Sequence, residues 1–404
     1  MSACIRAAAA VLVCLSALCV HSQADVRKPR PRHLYRVSRR DKQSGEKRLG
    51  FIDGAGRLVI GFERLPETTI EVGDFHEGRA RIYLKKKIVD DETNGAMNAA
   101  VGFIDETGRL VVEPRFETAR DFSEGLAYVE AKDFKGFIDR SGKVVIRVAY
   151  NFTKDFHEGL AAVGMSDYGP NNDDWGYIDR SGKLVVKRQY PFADDFSEGL
   201  AGVEVNGKYG FIDGRGAMVI QPRFDLRREE RHPGRTVSSG RFVDGLACVR
   251  FEELVGYINR EGEFVIRPRF TYAQDFSEGL AWATITGQSK PGIQSGWIDK
   301  SGRWVLTEVD GFSFSEFPQS GNYSNHYMDW RFSEGLAPFF IYSGDKTLNG
   351  YMNRKGQVVI KPRYFETVGP FVGGVALVVF HGNSTFAEDY GYINKQGALI
   401  WRSK

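Results

Sequence analysis

The sequence specifies an all-β protein built from tandem β-hairpin repeats, and three observations carry that reading. A glycine followed by an aromatic residue recurs at Gly50, Gly102, Gly136, Gly176, Gly210, Gly256, Gly296, Gly350 and Gly391. Its mean spacing is about 43 residues, a period typical of repeat arrays. The apolar runs around each glycine are short, rich in β-branched and aromatic residues, and alternate with period two. A tight Asp-x-x-Gly or Asn-x-x-Gly turn and a Phe-x-x-Gly corner punctuate the runs at fixed offsets.

Each element can be justified from one unit. Gly102-Phe103-Ile104 is a strand too short to be a helix. Asp105-Glu106-Thr107-Gly108 closes a hairpin, because the carboxylate can accept turn N–H groups and the glycine tolerates positive φ. Leu110-Val111-Val112 is the returning strand. Pro114 marks its end, as do Pro222, Pro268 and Pro362 in other units, since proline donates nothing to a ladder. The corner Phe122-Ser123-Glu124-Gly125 leads into Leu126-Ala127-Tyr128-Val129, a third strand expected to pair with the next Gly-aromatic strand.

The corner follows eight starts, with Phe75, Phe122, Phe156, Phe196, Phe242, Phe276, Phe332 and Phe371 at its head. The ninth start runs out at Trp401 without it, giving about eight full units plus a terminal fragment. The expected arrangement is an open, curved or superhelical array. A closed β-propeller is the alternative, since its blades have a similar period, although such rings typically hold about four to eight blades of four strands.

Three regions divide the 404 residues. Residues 1–24 hold one charge, Arg6, an apolar run from Ala7 to Val20, and a small-x-small Ser22-Gln23-Ala24. This is the pattern of a secretory signal peptide. Residues 25–48 carry ten Lys or Arg against three Asp or Glu and read as a basic disordered or extended segment able to touch anionic surfaces. Residues 49–404 are the repeat domain. The formal net charge of the whole chain is +3, so this domain is acidic, and nucleic acid is not an expected partner. Cys4, Cys14 and Cys19 fall in the leader, which leaves Cys248 alone in the mature chain as a buried strand residue.

The repeated letters suit structure better than chemistry. Asp53, Asp105, Asp139, Asp179, Asp213 and Asp299 exchange with Asn259, Asn353 and Asn394 at the same turn. Asp and Asn share the capacity to accept turn N–H bonds but differ in charge, so a turn role fits and repeated catalytic carboxylates or calcium sites do not. The corner carboxylate, such as Glu124, is expected to bond backbone amides and to pair with the Arg of Pro-Arg-aromatic (Arg115, Arg223, Arg269, Arg363). The histidines show no metal spacing, and neither a Gly-x-Ser-x-Gly elbow nor a phosphate-binding loop is present. No cofactor is expected. Among the longer insertions, 307–330 sets Phe312, Phe314, Phe317, Tyr323, Tyr327 and Trp330 among small polar residues, a candidate ligand surface.

Trp175-Gly176-Tyr177-Ile178-Asp179 and Lys208-Tyr209-Gly210-Phe211-Ile212-Asp213, set in the frame described above, resemble the WG (KWG) repeat family. Most other units replace the tryptophan, with Lys135, Val255, Ser295 and Asn349 before the glycine. The resemblance spans roughly residues 49–401. It implies an exported bacterial β-repeat protein and brings no catalytic residues with it. The function that follows is a non-catalytic scaffold of the periplasm or cell surface, monomeric, binding envelope protein, glycan or peptidoglycan. The alternative is an envelope carbohydrate-active hydrolase or lyase with its site near 307–330.

Overall fold

The computed structural model describes residues 33–41, 45–85, 99–166, 173–225, 240–286, 293–307, 330–343, 346–363, 365–380 and 389–403. The leader 1–24, the first part of the basic segment and residues 308–329 of the aromatic insertion lie outside the described residues. The protein is all-β throughout them: tandem antiparallel sheets in a curved array, none closed into a barrel.

A module at its fullest has four strands, here named a to d. In one of them Thr118–Ala119, Leu126–Ala131, Phe134–Asp139 and Val144–Val148 pair in sequence order, each antiparallel to the next. Strand b is the Leu-Ala-x-Val run, strand c the Gly-aromatic-Ile run and strand d the β-branched run after the Asp turn. The short strand a, two to four residues before the corner, adds a strand to the three expected. Two residues carry no periodicity, which is why the sequence does not announce it. Two neighbouring modules, around Gly210 and Gly256, merge into one seven-stranded sheet through a single pairing of Asp225 with Arg250.

The glycine before each aromatic is fixed by strand d. A Cβ on Gly136 would lie 2.0 Å from the Ile146 carbonyl oxygen, and one on Gly102 would lie 2.4 Å from that of Val112. Register shifts after Phe137 and after Phe103 mark a bulge where the ladder meets the Asp turn.

The core lies between successive sheets. Each strand-c aromatic packs on the corner phenylalanine of the following module. Phe103 meets Phe122 with ring centroids 4.9 Å apart, Phe137 meets Phe156 at 4.7 Å, Phe211 meets Phe242 at 5.1 Å and Tyr351 meets Phe371 at 4.8 Å. Where the aromatic is tyrosine, its hydroxyl also donates across the gap, Tyr257 to the Gln274 carbonyl at 2.6 Å and Tyr351 to that of Gly369 at 2.7 Å. Burying such a ring contributes about 1.5–3 kcal/mol, so successive sheets hold one another.

The array begins before residue 49. Tyr35–Arg40 is strand b of the first module and pairs with Lys47–Ile52. The segment, expected to be disordered or extended for want of periodic large apolar residues, is a strand from Tyr35 to Arg40. Val37 and Ser38 within it, and Leu34 just before it, are buried, while Arg39 and Arg40 are exposed. The first and last modules touch. Tyr392 packs against Tyr35 at 5.5 Å and donates to the Arg36 carbonyl at 2.8 Å. Tyr35 donates to the Val372 carbonyl at 2.6 Å. Among the described residues no ladder joins these two sheets; ring packing and hydroxyl-to-carbonyl hydrogen bonds hold the first and last modules together.

Candidate functional site

Antiparallel pairing sorts the connections between strands. The a–b corners and c–d turns lie at one end of every sheet, and the b–c hairpins and d–a crossings lie at the other. The two ends differ in chemistry.

At the corner end, Glu77, Glu124, Glu158, Glu198, Glu278 and Glu334 adopt φ of 52–53°, and the following glycines are also at positive φ. Two such residues in succession make a type I′ hairpin turn, in which a glutamate is uncommon. Its carboxylate does not serve its own corner but caps the next one. Glu77 accepts from the Gly125 amide at 2.7 Å, Glu124 from Gly159 at 2.9 Å, Glu158 from Gly199 at 2.8 Å and Glu198 from Gly245 at 3.0 Å. Asp244, Glu278 and Glu334 continue the series to Gly279, Gly335 and Gly374 at 2.9–3.0 Å. Corner serines add a second stitch, as when Ser123 donates to the Phe156 carbonyl at 2.7 Å.

The cation beside Glu77, Glu124, Glu278 and Glu334 comes from the Asp or Asn turn of the next module. Arg140 reaches Glu77 at 2.8 Å, Arg354 reaches Glu278 at 2.7 Å and Lys395 reaches Glu334 at 2.9 Å. Partial burial works against the charge of Glu77, Glu278 and Glu334, but these cations and the amide donors outweigh it and hold the three carboxyls below their usual range. The arginine of Pro-Arg-aromatic, expected to be the partner, binds elsewhere. Arg115 donates to the Gly142 carbonyl at 2.7 Å and Arg363 to that of Gly397 at 3.0 Å, while Arg223 and Arg269 bond Gly262 and Gly302 in the same way. Strand d carries that arginine to the neighbouring turn, out of reach of its own corner.

Each turn residue spends one oxygen on its turn. Asp105 Oδ1 accepts the amides of Thr107 and Arg109 at 2.9 and 3.1 Å. The same bonds recur at Asp53, Asp139, Asp179, Asp213 and Asp299. Asn259, Asn353 and Asn394 make them with the amide oxygen. Among the described residues no three His, Cys, Asp or Glu side chains converge as a metal site.

The other end holds the groups that vary between modules. Of the aromatic insertion, Phe312, Phe314, Phe317, Tyr323 and Tyr327 lie outside the described residues. Trp330 is described, and it is no surface residue. It is 6% exposed, stacks on Trp282 at 4.8 Å and accepts the Trp297 indole N–H on its carbonyl at 2.9 Å. It sits two residues before the corner phenylalanine, a position that faces the preceding module.

A different aromatic group is exposed at this end. Phe152, at the start of one strand a, stacks on Trp175, near the start of strand c, with centroids 5.9 Å apart and planes 21° apart. Lys154 Nζ lies 5.6 Å from the Trp175 ring and 5.2 Å from that of Phe192, which lies in the segment before the corner of the next module. Phe152 is 42% and Phe192 38% exposed. Beneath them Lys154 pairs with Asp194 at 3.6 Å, and Asp194 also accepts the Tyr209 hydroxyl. Burial pushes the Asp194 carboxyl up, and Lys154 and Tyr209 only partly oppose it. Burial likewise pushes up Asp155, with Arg120 opposing and nearby Asp195 reinforcing. Phe152 and Phe192 occupy the fourth position before their corner phenylalanines. Reading that one column down the repeat would have found them, with Tyr272 as a third aromatic.

Comparison with known proteins agrees with the frame. The family described as WG containing repeat matches residues 102–133, 136–167, 175–209, 209–226, 256–287 and 350–383. No curated protein matches the chain. Among solved structures, the crystal structure of the eukaryotic initiation factor is similar in fold, with TM-score 0.56 at 8% identity, covering 92% of this chain and 96% of that one. The structure of Kluyveromyces lactis Hsv2p aligns with TM-score 0.36 at 9% identity, covering 82% of this chain and 98% of that one. Six stretches of this chain, the first beginning at Gly102, thus match the WG containing repeat and lie within a longer run of β modules.

Proposed function

We propose that this protein is a non-catalytic scaffold of the cell envelope that presents the loop-bearing end of its β array to protein or glycan partners. One observation supports this above the others. The recurrent polar residues are consumed at the corner end, in bonds within turns and between modules, while the opposite end carries what differs from module to module. A surface that varies on a constant frame is how repeat proteins make binding sites. The apolar leader at 1–24 supports export, and the basic residues that follow it support contact with anionic envelope surfaces.

The test uses the mature chain, from residue 25, against isolated envelope fractions, with sedimented peptidoglycan and solubilised envelope proteins assayed separately. Saturable retention on one of them, reduced in a chain lacking 308–329 or substituted at the loop-bearing end, is the expected result. Retention on neither, together with turnover of an envelope polysaccharide, overturns the reading. Cell fractionation with a tagged full-length chain tests the address, and a cytoplasmic signal alone would refute it.

A further inference from the structure

We infer that Phe152, Trp175 and Phe192, with Lys154 and Asp194, form a binding site for the apolar face of a neutral sugar ring. This rests on the binding reading above and assigns it a ligand class and a location.

The residues come together from two strands of one module and a non-strand segment of the next. Phe152 and Lys154 lie on one strand a and its continuation, Trp175 on strand c of the same module, and Phe192 and Asp194 on the next module. Phe152, Trp175, the Lys154 ammonium and Phe192 follow one another in a row, each 5.2–5.9 Å from the last. Most strand aromatics of this protein are buried between sheets, whereas Phe152 and Phe192 keep about two-fifths of their surface in solvent. Exposed aromatic faces of this size on a rigid frame favour a ligand with a flat apolar face.

The charges decide between ligand classes. A cationic ligand would compete for the slot between Trp175 and Phe192, which the Lys154 ammonium already fills. An anionic ligand would meet the Asp194 carboxylate beside Lys154, with the Asp195 carboxylate close to it. A proline-rich peptide would cover the Lys154–Asp194 pair with groups unable to hydrogen-bond to it, which is costly. A neutral pyranose offers C–H faces to the rings, and its hydroxyls can both donate to the carboxylate and accept from the ammonium. Tyr209 and the Asp194 backbone carbonyl, which accepts from Tyr177 at 2.5 Å, hold the pair in place from below.

The experiment titrates the mature chain with chitotetraose, cellotetraose and maltotetraose, with polygalacturonate as the anionic arm and a decaproline peptide as the peptide arm. Binding is followed by calorimetry. Saturable binding of a neutral oligosaccharide, weakened at least tenfold in Phe152→Ala/Phe192→Ala and restored by Phe152→Tyr/Phe192→Tyr, is the expected result. Leu377→Ala, an exposed apolar change in another module, should leave it unaltered, and circular dichroism of each variant checks the fold. Neutral-sugar binding that survives the double alanine change overturns the location. Binding of decaproline or polygalacturonate in place of neutral sugars, or of none of the probes, overturns the ligand class. If the envelope fractions of the preceding section still retain the wild-type chain, the broader binding reading stands without this site.

Discussion

Tyr392, the last strand-c aromatic, packs at 5.5 Å against Tyr35 of the first module, where every earlier aromatic meets a corner phenylalanine. The first module has no such corner, and Tyr35 supplies the ring. Its hydroxyl bonds the Val372 carbonyl while the Tyr392 hydroxyl bonds that of Arg36. The two ends of the array are thus joined by the contact that joins any two neighbours. Tyr35→Ala should cost about 1–2 kcal/mol, combining a lost aromatic pair and a hydrogen bond. Tyr392→Phe should cost about 1 kcal/mol. Small-angle scattering should report a larger radius of gyration for Tyr35→Ala. An unchanged melting temperature and radius in both variants would mean the contact holds nothing.

The packing between modules predicts a large difference between two neighbouring substitutions. Phe211 is fully buried between Tyr209 and Phe242, and replacing it with alanine leaves a cavity costing about 3–5 kcal/mol. Asp213→Asn keeps the oxygen that accepts the Arg215 and Ala217 amides, as Asn259 does in the next module, and should cost less than about 0.5 kcal/mol. Urea unfolding followed by tryptophan fluorescence separates the two. Equal small shifts would sink the packing assignment.

These elements were legible because they are local. The Asp turn is set by residues two to four positions apart, and the glycine under strand d by a carbonyl ten residues on in the same hairpin. What crosses between modules was less so. The partner of Glu77 lies 48 residues away at Gly125, and its cation 63 away at Arg140, distances at which sequence spacing says nothing about contact. Two-residue strands have no period, so strand a is not legible, and neither is Phe152 on it nor Phe192 at the matching position of the next module. Trp330 failed as a surface residue for a related reason. Composition places it in a polar insertion, but its offset from Phe332 places it in the core.

The left-handed corner glutamates invite a comparison that separates strain from bonding. Glu278 sits at φ 53°, which costs a side-chain-bearing residue about 1 kcal/mol or more. Its carboxylate offsets this by accepting from Gly335 and Arg354. Glu278→Ala keeps the strain and loses the bonds, whereas Glu278→Gly loses both. The glycine variant should therefore be the more stable of the two by about 1 kcal/mol. Gly373, at φ 60° in the last corner, already occupies this position without a side chain. If alanine proves as stable as glycine in urea, the conformation is not strained.

Acid should act in opposite directions on two groups of carboxyls. Glu77, Glu278 and Glu334 titrate below their ordinary 4.5 in the folded chain, after donor bonds and cations outweigh partial burial. Their contribution to stability is complete above that value and is lost as pH falls through the lowered folded one. Asp155 and Asp194 titrate above their ordinary 3.8 because burial disfavours the charge. Their contribution is complete below 3.8 and is lost as pH rises through the raised folded value. The stability difference between wild type and Glu278→Gln should therefore shrink as pH falls below about 4.5. The difference between wild type and Asp155→Asn should shift against the wild type as pH rises from about 3.8. Urea midpoints measured across the acid range decide this, and two differences that change in the same direction with pH would contradict the assignment of burial to Asp155 and of bonding to Glu278.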